Sequence, residues 1–240
     1  MSLVGGDMEH VVLLLAGGRG DRMGGGCPKQ FARVCGRPVI AYTMLAFERH
    51  PLIDALYVVC NAEWAHLVEE TAAAERVTKL RGVVEAGANS MLSLRNGVVG
   101  VRRDVVGDAV VMVHEAVRPL VSAEVITDNL RVFHAFGNAV TALRSHEAYM
   151  VSADGCCSVR HIPREALYRA QTPQTFRLSD LEEILERAGD LVAHPHQSLF
   201  TMVATLFPGR CLYIARGSEL NFKLTLPQDM DVLEALLARG

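Results

Sequence analysis

The sequence predicts an α/β fold in which a mostly parallel sheet is covered by helices. Three observations point there. An apolar run, Val11 to Ala16, is closed by glycine; short apolar segments then alternate with segments of helical period; and one polar stretch, Ser145 to Arg169, interrupts the alternation. Each crossover between parallel strands has room for a helix, so alternation of this kind is the natural signature of such a sheet. The 240 residues are enough to bury a sizeable core and read as one domain, 1–240.

Taken in order, the strand His10–Leu15 precedes a glycine-rich loop, and helical period returns over Pro38–Glu48. The strand Ala55–Cys60 leads to a helix over Glu63–Arg76, and the strand Leu80–Glu85 to a helix over Ser90–Arg102. Ala109–Val113 is the next strand, followed by a helix over Ala123–Phe136 that Ser122 is placed to cap. Ala139–Leu143 is a strand, Ser179–Ala188 a helix opening on a Ser179/Glu182 capping box, Cys211–Ala215 a strand and Gln228–Ala238 a helix. All six strands are apolar enough to be buried on both faces. Residues 145–169 read as a β-hairpin or arm turning at Asp154-Gly155; arms of this kind cross to a partner subunit, and a hairpin packed on its own domain is the equal alternative.

Composition excludes several classes. A formal charge of −3 gives no reason to expect nucleic acid as a partner. The apolar runs fall far short of the roughly 20 residues a membrane span needs, and no secretory signal is visible. The six cysteines include no C-x-x-C pair, so they read as reduced thiols of a soluble cytoplasmic protein.

The strongest chemical signal is Leu15-Ala-Gly-Gly-Arg-Gly-Asp-Arg-Met-Gly-Gly-Gly-Cys-Pro-Lys-Gln30, which begins where the first strand ends. A loop at the carboxyl end of a parallel strand lies on the ligand-binding rim. Gly17, Gly18 and Gly20 let backbone N–H groups approach a triphosphate, and Arg22 and Lys29 add fixed positive charge. Nucleotidyl transfer needs that charge over the α-phosphate and the departing pyrophosphate. The loop is not a P-loop, because no Ser or Thr follows Lys29, and Met23 stands where a dinucleotide fingerprint has its third glycine.

Together with Gly87–Gly97, Val113-His-Glu-Ala-Val-Arg-Pro119, Gln171-Thr-Pro-Gln-Thr-Phe176 and Gly217-Ser-Glu-Leu-Asn-Phe-Lys-Leu-Thr225, the loop resembles the family of methylerythritol 4-phosphate and ribitol 5-phosphate cytidylyltransferases from about Val11 to Leu237. The resemblance implies a Rossmann-like sheet, a homodimer whose β-arm completes the partner's site, Mg²⁺ as cofactor, and CTP and a small polyol phosphate as substrates. It implies that Arg22, Lys29 and Lys223 are catalytic. CTP would lie against Leu15, Ala16, Gly17, Gly18, Gly20, Gly87, Ser93, Glu115, Ala116 and Arg118, and the acceptor against Arg164, Thr172, His146 and His194. The ligands of the Mg²⁺ ion stay unassigned.

The chain departs from the pattern at three places. Glu115 stands where the family has aspartate, Ser90 where it has arginine, and His194-Pro-His-Gln-Ser198 where it has a Thr-Asp motif facing the acceptor. The Ala-Gly-Gly opening of the loop and the Glu-Ala-Val-Arg-Pro motif lean toward the ribitol side, with methylerythritol 4-phosphate as the second acceptor. A catalytically weak, nucleotide-binding regulator is the rival of another class.

Overall fold

The computed structural model describes residues 8–18, 27–193 and 198–238. Its elements begin with β1 (His10–Leu15), the short pair β2 (Arg33–Val34) and β3 (Arg37–Pro38), α1 (Val39–Glu48), β4 (Ala55–Cys60) and α2 (Ala65–Ala74). Next come β5 (Leu80–Glu85), α3 (Ser90–Asp104), β6 (Val110–Glu115), α4 (Ala123–Phe136) and β7 (Ala139–Arg144). The hairpin β8 (Tyr149–Val151) and β9 (Arg160–Ile162) leads to β10 (Tyr168–Arg177), α5 (Leu178–Ala188), α6 (Leu199–Leu206), β11 (Ile214–Arg216) and α7 (Gln228–Leu237).

Seven strands form one sheet in the order β11-β7-β10-β6-β1-β4-β5. Among the described residues of this sheet only β10 runs antiparallel to its neighbours, so the predicted mostly parallel α/β sheet is what the chain builds. Alternation along β1 divides the core: Val12 and Leu14 pack with Met44 of α1 and Ile126 and Leu130 of α4, whereas Val11 and Leu13 face Leu94 of α3 and Leu181 of α5. Helices thus cover both faces of β1, and its four central side chains, Val11 to Leu14, are wholly buried.

Three expectations need correction. β5 is only half-buried, because among the described residues it closes one edge of the sheet and pairs with β4 alone. The expected strand Cys211–Ala215 shortens to Ile214–Arg216 at the other edge. The Ser179/Glu182 capping box does not form: Ser179 Oγ donates to Asp108 at 2.9 Å, while Glu182 pairs with Arg102. The sequence reading also lacks α6, β10 and the short pair β2 and β3. β10 is polar and interrupted by Pro173, yet it runs through the sheet with Gln171, Thr172, Gln174 and Thr175 buried.

The hairpin lies where the sequence places it, with Tyr149 opposite Ile162. Asp154 Oδ1 accepts the N–H groups of Cys156 and Cys157 at 2.9 and 3.1 Å, and Gly155 takes the left-handed conformation (φ 74°) that the turn requires. Its apolar side chains, Met150 at 79% and Val159 at 95% exposure among them, project into solvent.

Candidate active site

The parallel strands β1, β4, β5 and β6 end on one rim, and the residues that follow them line a cleft of about 460 Å³. Leu15, Ala16, Gly17 and Gly18 come from the end of β1, Asn61 from β4, Gly87 to Ser90 from β5, and Glu115 and Val117 from β6. Ligands bind at this edge of open α/β sheets because the loops there diverge. α3 starts at the same cleft, capped by Asn89 Oδ1, which accepts the N–H groups of Met91 and Leu92.

Close packing fixes the two backbone walls. A Cβ on Gly17 would lie 2.6 Å from Ala86 Cβ, so only glycine lets the two walls approach this closely. Ser93 Oγ accepts the Gly87 N–H at 3.0 Å and donates to Asn89 O at 2.8 Å, shaping the opposite wall from beneath.

The cations converge from distant parts of the chain. Lys29 is buried; its ammonium donates to the carbonyls of Leu224 and Thr225 at 3.2 and 3.0 Å. These contacts tie the short turn after the glycine-rich loop to the segment carrying Lys223, so both lysines line the cleft. Lys223 Nζ donates to Glu115 Oε1 at 2.5 Å, and Arg118 Nε to Glu115 Oε2 at 2.8 Å. Burial pushes the Glu115 carboxyl up, but Lys223 and Arg118 outweigh it and hold the group below its ordinary range.

Behind Glu115 lies a relay with one consistent proton assignment. Burial pushes His114 down to about 3, so its ring is neutral. Its Nε2–H then donates to Arg118 O at 3.2 Å, while Nδ1 accepts the Thr172 hydroxyl at 3.0 Å. Thr172 Oγ1 in turn accepts the Glu115 N–H at 3.2 Å.

Of the residues expected from sequence, Leu15, Ala16, Gly17, Gly18, Lys29, Gly87, Ser93, Glu115 and Lys223 line this one cleft. Ala116 is wholly buried beneath it, its carbonyl accepting the Thr43 hydroxyl at 2.8 Å. Arg118 and Thr172 support Glu115 from behind, and the Thr172 hydroxyl is occupied by that support. Arg164 and His146 lie together at the base of the hairpin, lining a separate hollow of about 310 Å³ with Arg144, Ser145 and Glu165. Gly20, Arg22 and His194 lie outside the described residues. Sequence reasoning missed Gln30, Asn61, Asn89 and Val117 as lining residues. For Asn61 a signal existed, since it directly follows β4, the strand beside β1.

A family model described as IspD, 2-C-methyl-D-erythritol 4-phosphate cytidylyltransferase, matches residues 10–239. The chain belongs to the IspD family. It is therefore a cytidylyltransferase, as its relatives are named. The ribitol-5-phosphate cytidylyltransferase of Lacticaseibacillus paracasei is 33% identical over 225 residues, covering 94% of this chain and 96% of the relative. The 2-C-methyl-D-erythritol 4-phosphate cytidylyltransferase of Geotalea uraniireducens is also 33% identical, over 233 residues, covering 96% and 97%. Among solved IspD-family structures, the 4-diphosphocytidyl-2C-methyl-D-erythritol synthase of Anaerococcus prevotii superposes with a TM-score of 0.80 at 20% identity, covering 97% of each chain, and shows the shared fold. Overall identity thus does not separate the two acceptor branches of the family.

Proposed function

We propose that this enzyme transfers the cytidylyl group of CTP to the phosphate of a small polyol phosphate, forming a CDP-polyol and pyrophosphate, with a ribitol 5-phosphate-like acceptor favoured. The observation that carries the reading is the convergence of Lys29 and Lys223 on one cleft walled by the backbone of residues 15–18 and 87–90. Backbone walls suit a base and ribose, and paired ammonium groups suit phosphates.

In this reading an acceptor phosphate oxygen attacks the α-phosphorus of CTP. The new P–O bond forms as the bond from the α-phosphorus to the oxygen bridging the β-phosphorus breaks, and pyrophosphate carries away the electron pair. No covalent enzyme intermediate is needed. Lys29 and Lys223 stabilise the charge gathering on the α-phosphate and the leaving group, and the protein's main contribution is alignment. Lys223 must share its ammonium between Glu115 and the incoming phosphates.

Among the described residues, Glu115 is the one carboxylate lining the cleft, and both its oxygens already hold cations. Mg²⁺ would accordingly be carried in on the triphosphate, with Glu115 as the lining carboxylate that could help hold it. Bound there, the ion would neutralise charge on the CTP oxygens. For the acceptor, the hollow lined by Arg144, His146, Arg164 and Glu165 supplies two guanidinium groups, which a homodimer would bring to the partner's cleft by exchanging the hairpin. The six free thiols fit a reducing compartment such as the cytoplasm.

The test is pyrophosphate release from CTP with ribitol 5-phosphate or 2-C-methyl-D-erythritol 4-phosphate. Preferential turnover of ribitol 5-phosphate is expected. Preference for the methylerythritol substrate would reverse the acceptor assignment, and turnover with UTP or ATP but not CTP would remove the cytidine assignment.

A further inference from the structure

Gln30 follows Lys29 in a short 3₁₀ turn and is 2% exposed, although it lines the cleft. Its Nε2 donates to two carbonyls of the glycine-rich loop, Ala16 O at 2.6 Å and Gly18 O at 2.7 Å. An amide nitrogen has two protons, and here both are aimed into one loop. On the other side of that loop, Ala16 N–H donates to Val59 O at 2.7 Å. Ala16 is thus held through both its backbone groups, one by the β4 strand and one by Gln30.

We infer that Gln30 is a positioning residue for the nucleotide: it draws two loop carbonyls away from the triphosphate and so presents the loop's N–H face. The inference deepens the cytidylyltransferase reading and rests on it. In a trans peptide the C=O and N–H point in opposite directions. Fixing Ala16 O on Gln30 therefore turns the Gly17 N–H to the opposite side. Without the amide, two carbonyl dipoles are free to turn their negative ends toward phosphate oxygens. A glycine loop is especially prone to this, because lacking side chains it has little else to bias its peptide planes. Glycine permits the loop geometry, and Gln30 selects among the permitted geometries.

The test uses two substitutions in the full chain. Gln30→Glu keeps the shape but sets a carboxylate against two carbonyls; Gln30→Met keeps the length and removes both donors. CTP affinity is measured by calorimetry, with KM for CTP and for the acceptor, kcat and Tm. Affinity for CTP is expected to fall about 30-fold in Gln30→Met and further in Gln30→Glu, with the acceptor KM little changed. In Gln30→Glu, lowering the pH should recover part of the loss relative to wild type, as protonation restores one donor. A lowered Tm with unchanged CTP affinity in the folded variants would overturn the inference and leave Gln30 a structural residue. Absence of CTP binding by the wild type would instead remove the underlying reading. Should Gln30→Met not fold, the pH recovery of Gln30→Glu decides: no recovery overturns the inference.

Discussion

Glu115 and Lys223 form an ion pair at the mouth of the cleft, joined through positions 108 residues apart in the chain. The second oxygen of Glu115 holds Arg118, whose side chain is only 10% exposed. Removing the carboxylate would leave a nearly buried guanidinium without its ionic partner. Glu115→Ala should therefore destabilise the fold by about 2 kcal/mol, less than a fully buried pair would give because solvent reaches Glu115 and Lys223. Glu115→Gln, which retains an acceptor for Arg118, should cost less. Urea unfolding of the two variants checks the order, and equal losses would contradict it.

Lys29→Ala should reduce kcat about 100-fold or more while shifting CTP affinity much less, as expected for a cation whose main work is on the transition state. Stopped-flow or steady-state kinetics with parallel calorimetry separates the two effects. A loss confined to binding would favour a nucleotide-sensing role.

Acid should weaken the fold earlier than carboxylate titration alone would. His114 has a folded pKa of about 3 against an ordinary 6.5, lowered by burial. Above 6.5 both folded and unfolded states are neutral at this residue, and its contribution is constant. As pH falls below 6.5 the unfolded state takes up the proton first, so stability declines by about 1 kcal/mol per pH unit until the folded pKa is reached. His50 and His134 are lowered by burial and act in the same direction. Denaturant midpoints measured between pH 7 and pH 5 should show the slope, and His114→Asn should flatten it.

Gly17→Ala should overpack the meeting of the two walls, since its Cβ would lie 2.6 Å from Ala86 Cβ and 3.2 Å from Ser93 Oγ. A stability loss of about 1–3 kcal/mol is expected, together with weaker CTP binding. Adding Ala86→Gly should restore part of both, and a double-mutant cycle showing strict additivity would deny the contact.

If the hairpin is exchanged in a homodimer, two inactive variants should rescue one another. A mixture of Lys29→Ala and Arg164→Ala chains forms hybrids in which one site combines an intact Lys29 with an intact Arg164. Random reassortment gives about a quarter of wild-type activity. No recovery after subunit exchange would mean that Arg164 serves the cleft of its own chain or none.

The parallel half of the sheet was legible in the sequence because the central residues of β1, β4 and β6 are buried and form apolar runs, Val11 to Leu14, Ala55 to Cys60 and Val110 to Val113. β10 was not, because several of its buried polar side chains find their partners far away in the chain: Thr175 donates to Asn129 on α4, and Gln171 to Ser218 O. No local pattern announces a strand whose partners are supplied by tertiary structure. The same asymmetry holds in the cleft. The loop glycines and Lys29 carry a local signature, whereas Gln30 gains its role only when the turn at Lys29–Phe31 swings back under Ala16. Ser179 shows the reverse case, a local capping signal overruled by a tertiary partner, Asp108.

Lys29 and Gln30, neighbours in the chain, pull in different directions: one grips Leu224 and Thr225, the other Ala16 and Gly18. A single turn therefore serves as a common hinge pin for the first strand's loop and for a segment 195 residues beyond it. The loop of residues 16–18 and the segment of residues 224–225 are thus tied through this one turn. Amide hydrogens of both should consequently exchange as one cooperative unit, and nucleotide bound against the first loop should slow exchange in the second even where it makes no contact.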